Sequence, residues 1–140
     1  MGGSTEPSEE EIFGEWRILR YVEIPGQANA AKQPGKLISK HIVLGKTYAF
    51  FIESSCTAPV YKIQKNSTNK YLAATYGNKI SSQLLGIKAD SIYTVNVSCT
   101  TQAKSDNNSV PRFGGDLIYD GKKMYAFYNG TFYILEKNDD

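Results

Sequence analysis

A chain of 140 residues fits one domain and leaves little room for two. Hydrophobic residues are 41% and charged residues 21%, enough for a core that needs no metal, and no run of 18 apolar residues could cross a bilayer as a helix. The formal net charge of +2 hides a split: Glu6, Glu9, Glu10, Glu11 and Glu15 crowd the start, Asp139 and Asp140 close the chain, and the body between carries about +9. A basic body favours an anionic partner or surface. Its lysines are scattered singly, with no arginine-rich stripe, which speaks against nucleic acid.

Residues 1–11 are polar, small and acidic and read as a disordered tail ahead of a single domain over residues 12–138. The opening Met1-Gly2-Gly3-Ser4 reads as a trimmed start from which a leader has been removed. The first strand is "FGEWRILRYVEI", rich in β-branched and aromatic residues. A long connection with two Pro-Gly signals follows, holding at most a short helix near residues 28–36, around Ala28 to Lys32. Short strands are then predicted near His41–Leu44, Tyr48–Glu53, Val60–Lys65, Tyr71–Thr75, Ser82–Leu85 and Ser91–Cys99. The polar break "TTQAKSDNNSVPR" separates them from closing strands near Asp116–Tyr119, Lys122–Tyr128 and Thr131–Lys137. No convincing 3.6-residue period appears after Lys32. The expected fold is all-β: a small up-and-down antiparallel barrel of about eight strands.

The closing meander predicts its own register. Asp120-Gly121 and Asn129-Gly130 are two-residue hairpin signals. They set Tyr128 against Thr131, Phe127 against Phe132 and so on to Lys123 against Glu136, and across the other turn Tyr119 against Lys122, Ile118 against Lys123 and Leu117 against Met124. Side chains alternate between faces. Leu117, Met124, Ala126, Tyr133 and Leu135 share one face, assigned to the interior. Ile118, Tyr125, Phe127, Phe132 and Ile134 share the other with Asp116, Lys123 and Glu136, whose charges keep that end wet. The outward rings are either a contact surface for a partner or lie under the N-terminal segment or the long connection.

The stretch "GEWRILRYV", Gly14 to Val22, carries the G-x-W of lipocalins. With "PVYKI" from Pro59, "LGIKADSI" from Leu85 and the terminal "YNGTFYILEK", the chain resembles small bacterial lipocalin-like (calycin-type) proteins over roughly Phe13 to Lys137. The resemblance implies that Trp16 plugs the closed end of the barrel against a basic side chain. Arg17 points to the opposite face of its strand, so Lys137 is the expected contact. Ile134 stands where such proteins often carry a charge, which strengthens the case for an adapted outer surface.

Cys56 and Cys99 lack C-x-x-C spacing; they read as one disulfide of an oxidising compartment, with two buried free thiols as the alternative. Such a loop would contribute roughly 4 kcal/mol on the chain-entropy model. The lone histidine, His41, has no local carboxylate pattern and reads as a strand-end residue, with Cys56 as its only conceivable nucleophile. No carboxylate pair, phosphate loop or metal set stands out. The sequons at Asn66, Asn96, Asn107 and Asn129 are expected by chance in so polar a chain.

Two functions fit this reading. The first is a non-enzymatic binding protein, periplasmic or secreted: an inhibitor or immunity protein that binds a secreted lytic enzyme or toxin through Tyr125, Phe127, Phe132 and Ile134. The second is a carrier of a small hydrophobic ligand lined by Trp16, Leu117, Met124 and Tyr133. Neither requires a cofactor.

Overall fold

The computed structural model describes residues 8–23, 34–52, 55–77, 80–102, 116–128 and 131–138. A helical turn α1 (Glu9–Ile12) leads into β1 (Gly14–Glu23), a 3-10 turn (Pro34–Leu37), β2 (His41–Leu44), β3 (Tyr48–Phe51) and β4 (Ser55–Ser67). Helices α2 (Thr68–Tyr76) and α3 (Ser82–Leu85) precede β5 (Ser91–Gln102), β6 (Asp116–Tyr119), β7 (Lys123–Tyr128) and β8 (Thr131–Lys137). The strands follow chain order around a closed barrel, β1 pairing with both β2 and β8, and every pair is antiparallel. This is the expected all-β, up-and-down barrel of eight strands, and it is compatible with a lipocalin-like fold. The helical turn expected at Ala28–Lys32, the tail through residue 7 and the break over residues 103–115 lie outside the described residues.

Two expected strands are helices. Tyr71–Thr75 lies in α2 and Ser82–Leu85 forms α3. In α2, Thr68 and Leu72 are buried and Tyr76 half-buried, an i, i+4 stripe that seats one face on the barrel. In α3 the caps decide. The Ser81 hydroxyl accepts from the Leu84 amide (3.2 Å), and Gly86 closes the turn at φ 81°, where glycine carries no Cβ penalty. The tail boundary shifts as well, since Glu9–Glu11 are helical.

The β7–β8 register is as predicted, from Tyr128↔Thr131 to Lys123↔Glu136. The β6–β7 register is displaced by two residues: Tyr119 faces Met124, Ile118 faces Tyr125 and Leu117 faces Ala126. The turn is longer because the Asp120 carboxylate gathers it, accepting from the amides of Lys122 (2.9 Å) and Lys123 (2.7 Å). An even displacement leaves every side chain on its expected face.

The barrel has a built floor. The Trp16 indole N–H donates to the Ile12 carbonyl (2.9 Å), fastening α1 beneath the ring. Lys137 Nζ lies 5.7 Å from the Trp16 centroid and donates to the Glu11 carbonyl (2.8 Å). The expected cation–ring contact is therefore present. The Tyr119 hydroxyl donates to Glu11 Oε2 (2.7 Å), which burial and that carboxylate hold protonated well above the usual phenol range. Cys56 and Cys99 are joined, their Cα atoms 5.3 Å apart, so β4 and β5 are stapled where their ladder is long. A disulfide of this kind persists in an oxidising compartment.

Candidate functional site

Two apolar clusters divide the wall into an inside and an outside. The inner one holds Trp16, Ile18, Ile42, Leu44, Phe51, Tyr61, Val95, Leu117, Met124, Tyr133 and Leu135. The proposed ligand-lining set of Trp16, Leu117, Met124 and Tyr133 is thus brought together, but as packed core: none is more than 1% exposed. All four belong to the inner apolar cluster.

The outer cluster corrects the proposed partner surface. Tyr125, Phe132 and Ile134 are buried and Phe127 is half-buried. Among the described residues the cover comes from α2, α3 and their flanks, which lay Leu72, Ile80, Leu85 and Ile87 over β6–β8. The Tyr76 ring sits 5.0 Å from those of both Phe127 and Phe132. The Tyr125 hydroxyl donates to Asp120 Oδ2 (3.0 Å). These rings form a second core under a helical roof, and they are not offered to a partner. The missed signal lies in β7 and β8 themselves: "MYAFY" and "TFYIL" are apolar on both faces, the mark of a strand covered on both sides.

The opposite part of the wall has no such roof among the described residues. Outward positions of β2, β3 and β4 carry Val43 paired with Phe50, Tyr48 paired with Thr57, and Val60. Tyr48 is 47% and Val60 59% exposed. Strand alternation gives the reason: Ile42, Leu44, Ala49 and Phe51 turn inward, which forces their neighbours out. Exposed Arg17, Lys40, Lys46 and Lys62 rim this face. Glu15 answers them on one side, its Oε2 3.5 Å from His41 Nδ1.

At the upper end of the same face lies an open groove of about 510 Å³ lined by Lys36, Ile38, Ser39, Lys40, His41, Phe50 and Ile52. Two of its residues hold left-handed backbone, Ser39 at φ 76° and Ile52 at φ 64°. For a β-branched residue such as isoleucine that is a genuine outlier, and strain of this kind gathers where backbone is held for a purpose. The segment is tied down by paired bonds to β1, Ile18 N–H to the Lys40 carbonyl (2.8 Å) and Ser39 N–H to the Ile18 carbonyl (2.9 Å).

The groove holds a serine and a histidine, yet among the described residues no hydrogen bond joins Ser39 to His41. Cys56, spending its sulfur in the disulfide, offers no thiol. The arrangement presents charge beside apolar area. Among the described residues no helix is long and apolar enough to cross a membrane, and no group of three metal-ligating side chains occurs. Comparison of the chain with protein-family models, with curated proteins and with solved structures finds no match.

Proposed function

We propose that this chain is a non-enzymatic, lipocalin-like binding protein of the periplasm or extracellular space, an inhibitor or immunity protein that docks a secreted enzyme or toxin through the unroofed wall of β2–β4. The observation that carries the reading is the asymmetry of the barrel's outer surface. Where β6–β8 bear outward rings, the chain folds its own helices over them; where β2–β4 bear Val43, Tyr48, Phe50 and Val60, no described element does so. Apolar area rimmed by charge is the make-up of a contact face. A tyrosine ring set among lysines supplies a rigid anchor and steers an acidic partner. The disulfide supports the compartment, and the burial of Trp16, Leu117, Met124 and Tyr133 favours the docking reading over a carrier.

The test compares the wild-type protein with Tyr48→Ala/Val60→Asp, each expressed in the native host and examined by native mass spectrometry without reductant. A protein partner of acidic surface should accompany the wild type and be lost from the variant, whose melting temperature stays close to wild type. A partner held equally by both, or a folded wild type that carries none from its own envelope fraction, would refute the assignment.

A further inference from the structure

We propose that the groove between residues 36–41 and the end of β3 is a binding site for a small amphipathic carboxylate, a short apolar chain or ring bearing one negative head. The site lies at the end of β2 and β3, beside the inner apolar cluster. Its floor is apolar: Ile38, Phe50 and Ile52. Ile38 and Ile52 also pack against the inner core, so the floor is anchored from behind. Its rim is cationic or neutral: Lys36, Lys40 and His41. Among the described residues no acidic side chain lines it, and Glu15 meets His41 at 3.5 Å.

The chemistry follows from that lining. An apolar ligand without a charge gains nothing from the two ammonium groups at the rim. A small anion without an apolar body would leave Phe50 and the two isoleucines facing water. One molecule carrying both parts satisfies both. A volume of about 510 Å³ suits a ligand of drug or metabolite size. The rigidity is in place beforehand, because residues 39 and 40 are bonded to Ile18 in both directions and the left-handed turns at Ser39 and Ile52 fix the two lips. A preorganised site loses less freedom on binding. The inference stands whether or not the wall docks a protein.

The test is an amide-resolved NMR titration of the intact oxidised protein with octanoate, octylammonium and acetate. Octanoate should move the amides of residues 38–41 and 50–52. Acetate, which has the head alone, should bind at least tenfold more weakly, and octylammonium should leave these amides unmoved. Lys36→Glu/Lys40→Glu should invert the preference between octanoate and octylammonium, and Phe50→Ala should weaken octanoate several-fold. Both lysines are exposed, so the fold should survive, with the near-ultraviolet signal of Trp16 as its check; Lys40→Met offers a milder variant should the double charge reversal perturb it. Equal binding of octanoate and octylammonium, shifts confined to the barrel mouth at Tyr21 and Tyr128, insensitivity to the lysine variants, or no shift up to roughly 10 mM ligand would each overturn the proposal.

Discussion

Replacing Phe132 by alanine separates a second core from a surface patch. Phe132 is 0% exposed, with the Tyr76 ring 5.0 Å and the Phe127 ring 5.1 Å away. Emptying such a site costs about 3–5 kcal/mol, the lost transfer energy of the ring plus the cavity left behind. A domain of this size has an unfolding entropy near 0.3 kcal/mol per kelvin at its midpoint, so the melting temperature should fall by about 10–17 °C. Val60→Ala is the control. Its side chain is 59% exposed, and its removal should change stability by no more than about 0.5 kcal/mol. Calorimetry on the oxidised protein gives both numbers. A cycle with Tyr76→Ala isolates the ring contact, which should couple by about 1 kcal/mol. If Phe132→Ala costs less than about 1 kcal/mol, or matches Val60→Ala, the ring is not roofed by α2 and the division of the wall into covered and bare parts fails.

Two further outcomes follow from the same architecture. Reducing the Cys56–Cys99 bond opens a loop spanning a separation of 43 residues and should lower unfolding free energy by about 4 kcal/mol, read as a shift of the guanidinium midpoint with and without reductant; no shift would mean that the long β4–β5 ladder alone sets that part of the fold. Burial pushes the Tyr61 and Tyr133 phenols up to about 12, and Tyr119 and Tyr125 rise as well, through burial and their carboxylate neighbours. The folded pKa exceeds the unfolded value of about 10, so this contribution is intact below pH 10 and is lost as pH rises through about 12. Absorbance at 295 nm should show these phenols ionising late, together with unfolding, after the exposed tyrosines; simultaneous titration of all the tyrosines near pH 10 in a folded protein would refute the burial pattern.

The parts of the fold legible in the sequence were those written in short-range code. Asn129-Gly130 announces the β7–β8 pairing, and alternation along Met124–Tyr128 and Thr131–Leu135 assigns each side chain to a face. The plugged floor at Trp16 is what the lipocalin resemblance implies, and Arg17, pointing to the opposite face, leaves Lys137 as the contact. Tyr71–Thr75 and Ser82–Leu85 were misread because a short apolar run has no decisive period, and the arbiter here is tertiary. The α2 stripe of Thr68, Leu72 and Tyr76 gains its value from the Phe127 and Phe132 rings beneath it. The Asp120 turn shows a different limit: a carboxylate that can accept from two successive amides outcompetes the two-residue geometry that Asp-Gly suggests. The candidate groove was not legible at all, because Lys36, Lys40, Phe50 and Ile52 come from segments whose meeting depends on the barrel closing.

The two-sided apolar pattern of β7 and β8 recurs on the other side of the barrel. Strands with apolar residues on both faces need cover on both faces. "MYAFY" and "TFYIL" obey this through the roof of residues 68–90, and the proposed contact rings are spent there. "HIVL" and "YAFF" show the same two-sided character, with Ile42, Leu44, Ala49 and Phe51 inside and Val43, Tyr48 and Phe50 outside, yet no described element covers their outer face. Among the described residues one such face is roofed and the other is not, and lysines stand along the rim of the second, which is the asymmetry on which the proposed docking rests. Phe50 belongs both to that face and to the groove at Lys36–His41, so the proposed ligand and the proposed partner would meet at one ring.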